Sequence, residues 1–202
     1  MARTLTGPDL VIASHNEGKV AEIALLLAPL GLRLTSARDR SLPEPEEGGA
    51  TFVANVSIKA LAAAWGTGVP AIADDSGLVV PALGGAPGVR SARWGGPARD
   101  FGAAMRKVHE ALGTRARDAE MVAALAIAWP DGHVEAREGR VRGTLVWPPR
   151  GALGFGYEPM FLPDGETRTY GEMSRADKSR DDPRARAYAG LVGVLRGGAS
   201  MR

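Results

Sequence analysis

The chain has 202 residues, a formal net charge of +2, 45% hydrophobic residues and no cysteine. These values predict a single unit with a sizeable core, exclude disulfides and thiol chemistry, and give no sign of a nucleic-acid surface. Without a secretory signal or a run long enough to span a bilayer, we expect a cytoplasmic protein that binds neither membrane nor nucleic acid.

Predicted strands and helices alternate in the first half of the chain. Apolar runs between turn signals indicate buried strands, and apolar residues spaced three and four apart indicate helices. Thr51 is a suitable N-cap for an alanine-rich helix. The predicted elements are, in order, a strand over 9–13, a helix over 17–30, a strand over 32–36, a loop over 41–49, a helix over 51–65 and a strand over 69–73.

The second half is predicted to contain more strand. Two strands flank the turn signal Pro130-Asp131-Gly132, and Pro183 suits the first turn of a closing helix. Interleaved elements without a linker predict an α/β (mixed α+β) domain over 1–202, with its core over 8–196 and a frayed tail over 197–202. The predicted elements are a loop over 84–96, a helix over 101–112, strands over 120–129 and 133–141, a loop over 151–159, a strand over 160–162 and a helix over 183–195.

The segment Ser14-His15-Asn16-Glu17-Gly18-Lys19 lies where a predicted strand ends and a helix begins. Free backbone N–H groups and the positive end of the helix dipole favour an anion there, and Lys19 adds charge. A Walker A loop is disfavoured, because Ala13 replaces its first glycine and Val20 its final Ser or Thr. The alternative to a phosphate site is an ordinary N-capped helix.

Adjacent carboxylates, Asp74 and Asp75, follow a predicted buried strand. Such a pair is costly unless a cation holds it, and a divalent metal would also activate a water molecule. We expect a turn at Ser76-Gly77 to bring both carboxylates to one place. The alternative is an acidic turn that faces solvent.

Lysine is rare in this chain: it occurs four times, against 21 arginines. A lysine that departs from this bias is consistent with a need for a compact ammonium group, and chance is the alternative for any single lysine. Lys59 shares a helix face with Asn55, which suits a phosphate, although a surface pair is the alternative. We expect Glu44 and Glu46 to be solvated.

A glycine-rich loop, Gly154-Phe155-Gly156-Tyr157-Glu158-Pro159, places two aromatic residues between flexible positions. Such a loop can stack on a base, or its aromatic rings can turn into the core. Lys178, Arg184 and Arg186 lie near the start of the last predicted helix, where a solvated basic face is the default interpretation.

In combination, these motifs closely resemble the Ham1 family of inosine triphosphate pyrophosphatases, from about Leu10 to Leu195. The order of the motifs makes the resemblance specific. They are Ser14–Lys19, then Glu47, Thr51, Phe52, Asn55 and Lys59, then Ala73–Leu78, then Leu83–Gly88 with Ser91–Trp94, then Gly154–Tyr157, and then Glu172–Ser174 with Lys178.

The resemblance implies an elongated two-lobed fold with a long central mixed sheet, flanking helices and a cleft between the lobes. It also implies a homodimer and Mg²⁺-dependent cleavage of inosine, deoxyinosine and xanthosine triphosphates to the monophosphate and pyrophosphate. The expected reaction is attack of an activated water on the α-phosphorus, with lysine and Mg²⁺ stabilising the leaving pyrophosphate.

The resemblance also assigns roles to residues. Asp75 is the expected general base, and the expected metal ligands are Glu47, Asp74 and Asp75. The expected substrate-binding residues are Ser14, His15, Asn16, Glu17, Gly18 and Lys19, with Asn55, Lys59 and Ser76, then Phe155, Gly156, Tyr157, Glu158, Lys178 and Arg184.

At some positions the chain departs from the family pattern. Glu158 stands where the loop normally ends in Asp, Pro183 stands where a His is usual, and Ala54 replaces a Glu. Two alternatives therefore stay open beside the pyrophosphatase. One is a degenerate paralogue that binds nucleotide with weak, altered or no turnover, and the other is a nucleotide-dependent transferase or kinase.

Overall fold

A computed structural model of the chain describes residues 3–195, so the predicted tail lies outside the described residues. The α/β class is confirmed: helices accompany one six-stranded sheet with the strand order β2-β1-β3-β4-β5-β6. The strands are β1 (Asp9–Ile12), β2 (Arg33–Ser36), β3 (Ala71–Val79), β4 (Asp118–Ala128), β5 (Val134–Leu145) and β6 (Phe161–Pro163), and the α-helices are α1 (Glu17–Leu27), α2 (Phe52–Thr67), α3 (Phe101–Leu112), α4 (Arg175–Lys178) and α5 (Pro183–Leu195).

The sheet is mixed, as predicted. Strand β1 pairs in parallel with β2 and β3, and Val11 is in register with Thr35 on one side and Ala71 on the other. Strands β5 and β6 pair antiparallel. Parallel neighbours need a crossover connection, which explains why helical segments separate the first three strands in the sequence.

The described residues fall into two compact units. The first contains 3–75, 124–138 and 186–195, and the second contains 76–123 and 139–185. The single-domain interpretation of the sequence stays a prediction. No helix within residues 3–195 is long and apolar enough to cross a membrane.

Each unit has its own hydrophobic core. In the first unit, Leu10 and Ile12 of β1 pack with Ile23 and Leu27 of α1 and with Leu191 of α5. The buried positions of α1 are four residues apart, the helical spacing that the sequence pattern predicted. In the second unit, Val108 and Leu112 of α3 pack with Leu78, Met160 and Phe161.

Two sequence expectations are wrong in the second unit and at its boundary. The stretch over 84–96 is not a loop throughout, because a 3₁₀ helix covers Gly88–Gly95 within it, and a second 3₁₀ helix, Pro81–Leu83, lies just before it. Gly84 ends this second helix at φ 64°, a left-handed conformation that glycine adopts without a Cβ penalty. The expected turn at Ser76-Gly77 is also absent, since β3 continues through these residues to Val79.

Candidate active site

The segment Ser14–Lys19 forms an N-capped helix start. Asn16 is the N-cap of α1, and its Oδ1 accepts a hydrogen bond of 3.1 Å from the backbone N–H of Lys19. Ser14 Oγ accepts a 3.2 Å bond from the backbone N–H of Asn16. The alternative interpretation of this segment, an ordinary N-capped helix, is therefore confirmed for the cap itself. The cap also fixes the first turn of the helix, whose positive dipole end remains suited to an anion.

Lys19 contacts the first carboxylate of the acid pair. Its Nζ lies 2.6 Å from Asp74 Oδ1, and the Asp74 side chain is fully buried while that of Lys19 is 19% exposed. A charge-assisted contact of this length compensates for burying the carboxylate. It also places the ammonium group of the helix start beside β3.

The second carboxylate contacts a different lysine. Lys59 of α2 has its Nζ 2.9 Å from Glu47 Oε1 and 3.5 Å from Asp75 Oδ1. Because β3 is extended where a turn was expected, successive side chains leave the strand in opposite directions. This geometry explains why Asp74 and Asp75, although adjacent, meet lysines on different helices.

Burial and charge act together on these groups. Burial raises the pKa of Asp75 above its ordinary 3.8, although Lys59 and Lys19 oppose this shift. Burial by itself would lower the pKa of Lys59, but the Asp75 and Glu47 carboxylates outweigh it and raise that pKa. A carboxyl group with a raised pKa is better suited to accept a proton than an exposed one.

Other residues that the sequence singled out around this group have structural partners. Asn55 is buried, and its Oδ1 accepts a 2.7 Å bond from the backbone N–H of Gly49. His15 is exposed, with its Nε2 2.8 Å from the carbonyl oxygen of Leu42. Glu17 is exposed and forms an ion pair with Arg38.

Ser76 lies in a strand where a turn was predicted, whereas the acidic loop lies where it was predicted. Ser76 follows Asp75 in β3 and is half-buried. Glu44 and Glu46 are exposed, as predicted, whereas Glu47 is half-buried and paired with Lys59.

In the second unit, the two aromatic residues of the glycine-rich loop differ. Phe155 is 36% exposed, whereas Tyr157 is 2% exposed and its hydroxyl donates a 2.9 Å hydrogen bond to the carbonyl oxygen of Ser91. The Tyr157 ring packs edge-on against Phe101 at 5.6 Å, and burial raises the pKa of its hydroxyl. The Tyr157 ring is therefore a core group, and only Phe155 is available to a ligand.

A buried ion pair lies under this loop. Lys178 Nζ is 2.6 Å from Glu158 Oε2, with side-chain exposures of 5% and 10%. The same oxygen accepts a 3.0 Å bond from the backbone N–H of Phe155. A Cβ on Gly154 would lie 1.6 Å from this oxygen, so only glycine fits there. The Glu158 carboxylate thereby links the backbone of the loop at Phe155 to the Lys178 side chain.

The predicted solvated basic face is wrong for two of its three members. Lys178 and Arg184 are buried at 6% and 7% exposure, and only Arg186 is exposed. Helix α4, which carries Lys178, was not predicted because it has only four residues. Its N-cap Ser174, which accepts from the backbone N–H of Asp177, was the available signal.

The sequence also failed to identify three connections. The Lys19–Asp74 pair joins residues far apart in the chain, and the Asn55–Gly49 bond joins a helix to the loop six residues before it, so no periodic pattern indicates either contact. Ser91, which anchors Tyr157, lies in a motif that the resemblance contained, but no role was assigned to it. The bias against lysine was the useful signal, because Lys19, Lys59 and Lys178 each contact a carboxylate.

A capped helix start, two lysines and three carboxylates lie together near the parallel strands β1 and β3, and such a group suits a phosphate-bearing ligand and a cation. The sequence model of the Ham1 family matches residues 10–194, and the chain belongs to the Ham1 family. Relatives from Bradyrhizobium sp. (54% identical, 95% of each chain) and Rhodospirillum centenum (56% identical, 94% of this chain and 96% of the relative) are both named dITP/XTP pyrophosphatase.

Solved structures agree with this assignment. A HAM1 protein from Coxiella burnetii is 36% identical with a TM-score of 0.87, covering 95% of this chain and 100% of that protein. A nucleoside-triphosphatase (dITP/XTP pyrophosphatase) from Mycobacterium abscessus is 39% identical with a TM-score of 0.74, covering 91% and 98%.

Proposed function

We propose that this chain hydrolyses the triphosphates of deoxyinosine, xanthosine and inosine to the monophosphate and pyrophosphate. The observation that carries the proposal is the pairing of Lys19 with Asp74 and of Lys59 with Glu47 and Asp75, in a chain 54% identical to a named dITP/XTP pyrophosphatase. Removing such nucleotides from the pool is the cellular role that follows.

The chain's own residues supply the groups that bind the phosphates. Ser14–Lys19 offers the start of α1 to the triphosphate, and Lys59 adds a second ammonium group. Both lysines are held by carboxylates before substrate binds. A polyphosphate competes for those ammonium groups, because phosphate oxygens are also strong acceptors of charge-assisted hydrogen bonds.

Asp75 is the proposed general base. Its carboxylate takes a proton from a water molecule whose oxygen attacks the α-phosphorus, and the bond to the bridging oxygen breaks so that pyrophosphate leaves. Burial raises the pKa of the Asp75 carboxyl, which makes its carboxylate a stronger proton acceptor than an exposed one. Lys19 and Lys59 stabilise the negative charge that develops on the departing group.

The donor set fits Mg²⁺ chemically, since carboxylate oxygens are the ligands that this hard cation prefers. Within residues 3–195 no group of three or more His, Asp or Glu side chains is arranged to hold a metal. Mg²⁺ is usually bound by one or two carboxylates together with substrate phosphates. We propose that one or two of Glu47, Asp74 and Asp75 would hold the ion in this way. When bound, it polarises the phosphates and lowers the pKa of water.

For the base we propose the aromatic loop of the second unit. Phe155 offers an exposed ring for stacking, and Lys178 is a donor suited to a 6-oxo group. Adenine, with an amino group at that position, would leave such a donor unpaired and so be rejected. Glu158, Gly156 and the buried Tyr157 shape the loop, and Arg184 is the remaining proposed base-side residue.

The test is to incubate the chain with Mg²⁺ and each triphosphate in H₂¹⁸O, and to follow the products by ³¹P NMR. Monophosphate and pyrophosphate are expected, with ¹⁸O in the monophosphate only, because the attack is at the α-phosphorus. Release of orthophosphate and diphosphate would refute the pyrophosphatase assignment. Label in the pyrophosphate would instead refute attack at the α-phosphorus.

The same assay separates the alternatives. Nucleotide binding without products would favour the degenerate paralogue, which is motivated by Ala54, Glu158 and Pro183. A transferase or kinase would need an acceptor and would transfer the phosphate group to it. The homodimer and the cytoplasmic location stay predictions, and light scattering of the eluting protein measures the first.

A further inference from the structure

The segment that carries Glu47 is attached to helix α2 at two points. Glu47 Oε1 lies 2.9 Å from Lys59 Nζ, and the backbone N–H of Gly49 donates a 2.7 Å hydrogen bond to Asn55 Oδ1. Asn55 and Lys59 are one helical turn apart, so both attachments lie on the same face of α2. The Asn55 side chain is 1% exposed, which shields this bond from competition with water.

The backbone of Gly49 lies in close contact with helix α2. A Cβ at this position would lie 2.6 Å from Asn55 Oδ1, 2.8 Å from Ala54 Cβ and 2.9 Å from the backbone nitrogen of Asn55. The helix backbone cannot move aside without losing the bond from the Asn55 N–H to the Thr51 carbonyl. The neighbouring Gly48 is different, because a Cβ there would meet nothing within 4 Å.

The rest of the acidic loop has no regular structure to hold it. Residues between Leu42 and Gly49 belong to no helix or strand, and Pro43, Glu44 and Glu46 are exposed. The attachment at Gly49, two residues further along the chain, therefore fixes the backbone next to Glu47.

We propose that Asn55 is a positioning residue: together with Gly49 it anchors the acidic loop and so sets the Glu47 carboxylate for the cation. This role differs from the direct substrate contact that the family resemblance implied for Asn55. The part played by Glu47 rests on the proposed function, whereas the anchoring of the loop does not.

The anchoring is tested by limited proteolysis of the full chain with a glutamate-specific protease, following cleavage after Glu44, Glu46 and Glu47 by mass spectrometry. Asn55→Ala and Gly49→Ala should accelerate cleavage in this loop at least about tenfold, since local opening becomes more populated. Gly48→Ala is the matched control and should cleave at the wild-type rate. Asn55→Asp keeps an acceptor oxygen and should restore resistance.

The consequence for Glu47 is tested by calorimetric titration with Mg²⁺ alone and by the Mg²⁺ dependence of pyrophosphate release. For Asn55→Ala and Gly49→Ala we expect about tenfold weaker Mg²⁺ binding, because groups that orient metal ligands typically carry such an effect. At saturating Mg²⁺, kcat should return to within about twofold of wild type. A merely structural defect would instead lower kcat at every Mg²⁺ concentration.

Each outcome decides a different part of the proposal. Equal cleavage rates in all variants would overturn the anchoring, whatever the activity. An opened loop with unchanged Mg²⁺ dependence would overturn the link from Asn55 to Glu47. A wild-type chain that releases no pyrophosphate would refute the proposed function, while the proteolysis would still decide whether Asn55 and Gly49 anchor the loop.

Discussion

Lysines meet carboxylates in both units, but in two different ways. In the first unit, Lys19 and Lys59 face three carboxylates at 2.6 to 3.5 Å, and Lys59 divides its contacts between Glu47 and Asp75. In the second unit, Lys178 pairs with Glu158 at 2.6 Å, with both side chains at least nine-tenths buried. The first group has more carboxylates than lysines and is partly exposed, whereas the second is a buried pair.

This difference separates a site that can exchange partners from a site that holds its shape. An excess of carboxylate suits an incoming cation, and ammonium groups that are partly exposed can turn to phosphate. A buried pair has no such freedom, because separating it leaves each charge in a low-dielectric environment. The Lys178–Glu158 pair is thus a structural element of the loop that carries Phe155, and the ammonium group, which has three N–H donors, can keep Glu158 and still donate to a base.

The largest expected effect comes from Asp75→Asn. Loss of the proposed base should lower kcat for deoxyinosine triphosphate by about 10³-fold, within the range typical of general bases. The chain should still unfold cooperatively, since an amide is isosteric with the carboxyl group. Steady-state kinetics and thermal denaturation measure the two properties. The exposed Asp164→Asn serves as control, and near-normal turnover in Asp75→Asn would disprove the assignment.

The second-largest effect is expected from breaking the Lys178–Glu158 ion pair. Glu158→Gln leaves the buried Lys178 ammonium without its carboxylate, so we expect the free energy of unfolding to fall by about 3–5 kcal/mol. Urea denaturation gives this value. The double variant Glu158→Gln, Lys178→Met should recover more than about 1 kcal/mol, because no unpaired charge remains. A cost below about 1 kcal/mol for Glu158→Gln would show that the pair is not structural.

A smaller effect on the free energy of unfolding is expected from adding a side chain at Gly154, next to the Lys178–Glu158 pair. Gly154 and Gly165 have nearly equal φ angles, 78° and 80°, but only at Gly154 would a Cβ collide with Glu158. Gly165→Ala measures the backbone strain, about 1 kcal/mol. Gly154→Ala should cost about 2 kcal/mol more through overpacking. Equal losses of unfolding free energy in the two variants would mean that the loop around Gly154 shifts to accommodate the added methyl group without a loss of stability.

The smallest expected effect is the pH dependence of stability in the first unit. Because the folded pKa of Asp75 is raised above 3.8, the folded state binds this proton more tightly than the unfolded state. The contribution to stability is therefore complete below pH 3.8 and is lost as pH rises through the folded pKa.

Asp75→Asn removes that contribution. The unfolding free energy of the variant minus that of wild type should rise with pH above 3.8, by at most about 1.4 kcal/mol per pH unit, and then level off. Urea denaturation at several pH values measures the difference. A difference that falls with pH would mean that the Lys59 and Lys19 ammonium groups lower the pKa of Asp75 by more than burial raises it.

Local signals in the sequence predicted most elements. The spacing of Ile23 and Leu27, the N-cap Thr51 and the turn at Pro130-Asp131-Gly132 act over a few residues, and the corresponding helices and strands lie where predicted. The errors occurred where tertiary pairing overrides local preference. Ser76-Gly77 has turn chemistry, yet it continues β3.

The sequence by itself determined the family and the α/β class, and it singled out the lysines and carboxylates of the candidate site, because motif order and a bias against lysine are properties of the chain alone. Only the tertiary structure decided how these groups pair. Lys19 pairs with Asp74, and Lys59 pairs with Glu47 and Asp75. The buried Tyr157 hydroxyl donates to the Ser91 carbonyl, and Asn55 accepts from the backbone N–H of Gly49. Apart from the Asn55–Gly49 bond, these contacts join residues at least 12 positions apart in the sequence, and burial sets their strength, so no local pattern encodes them.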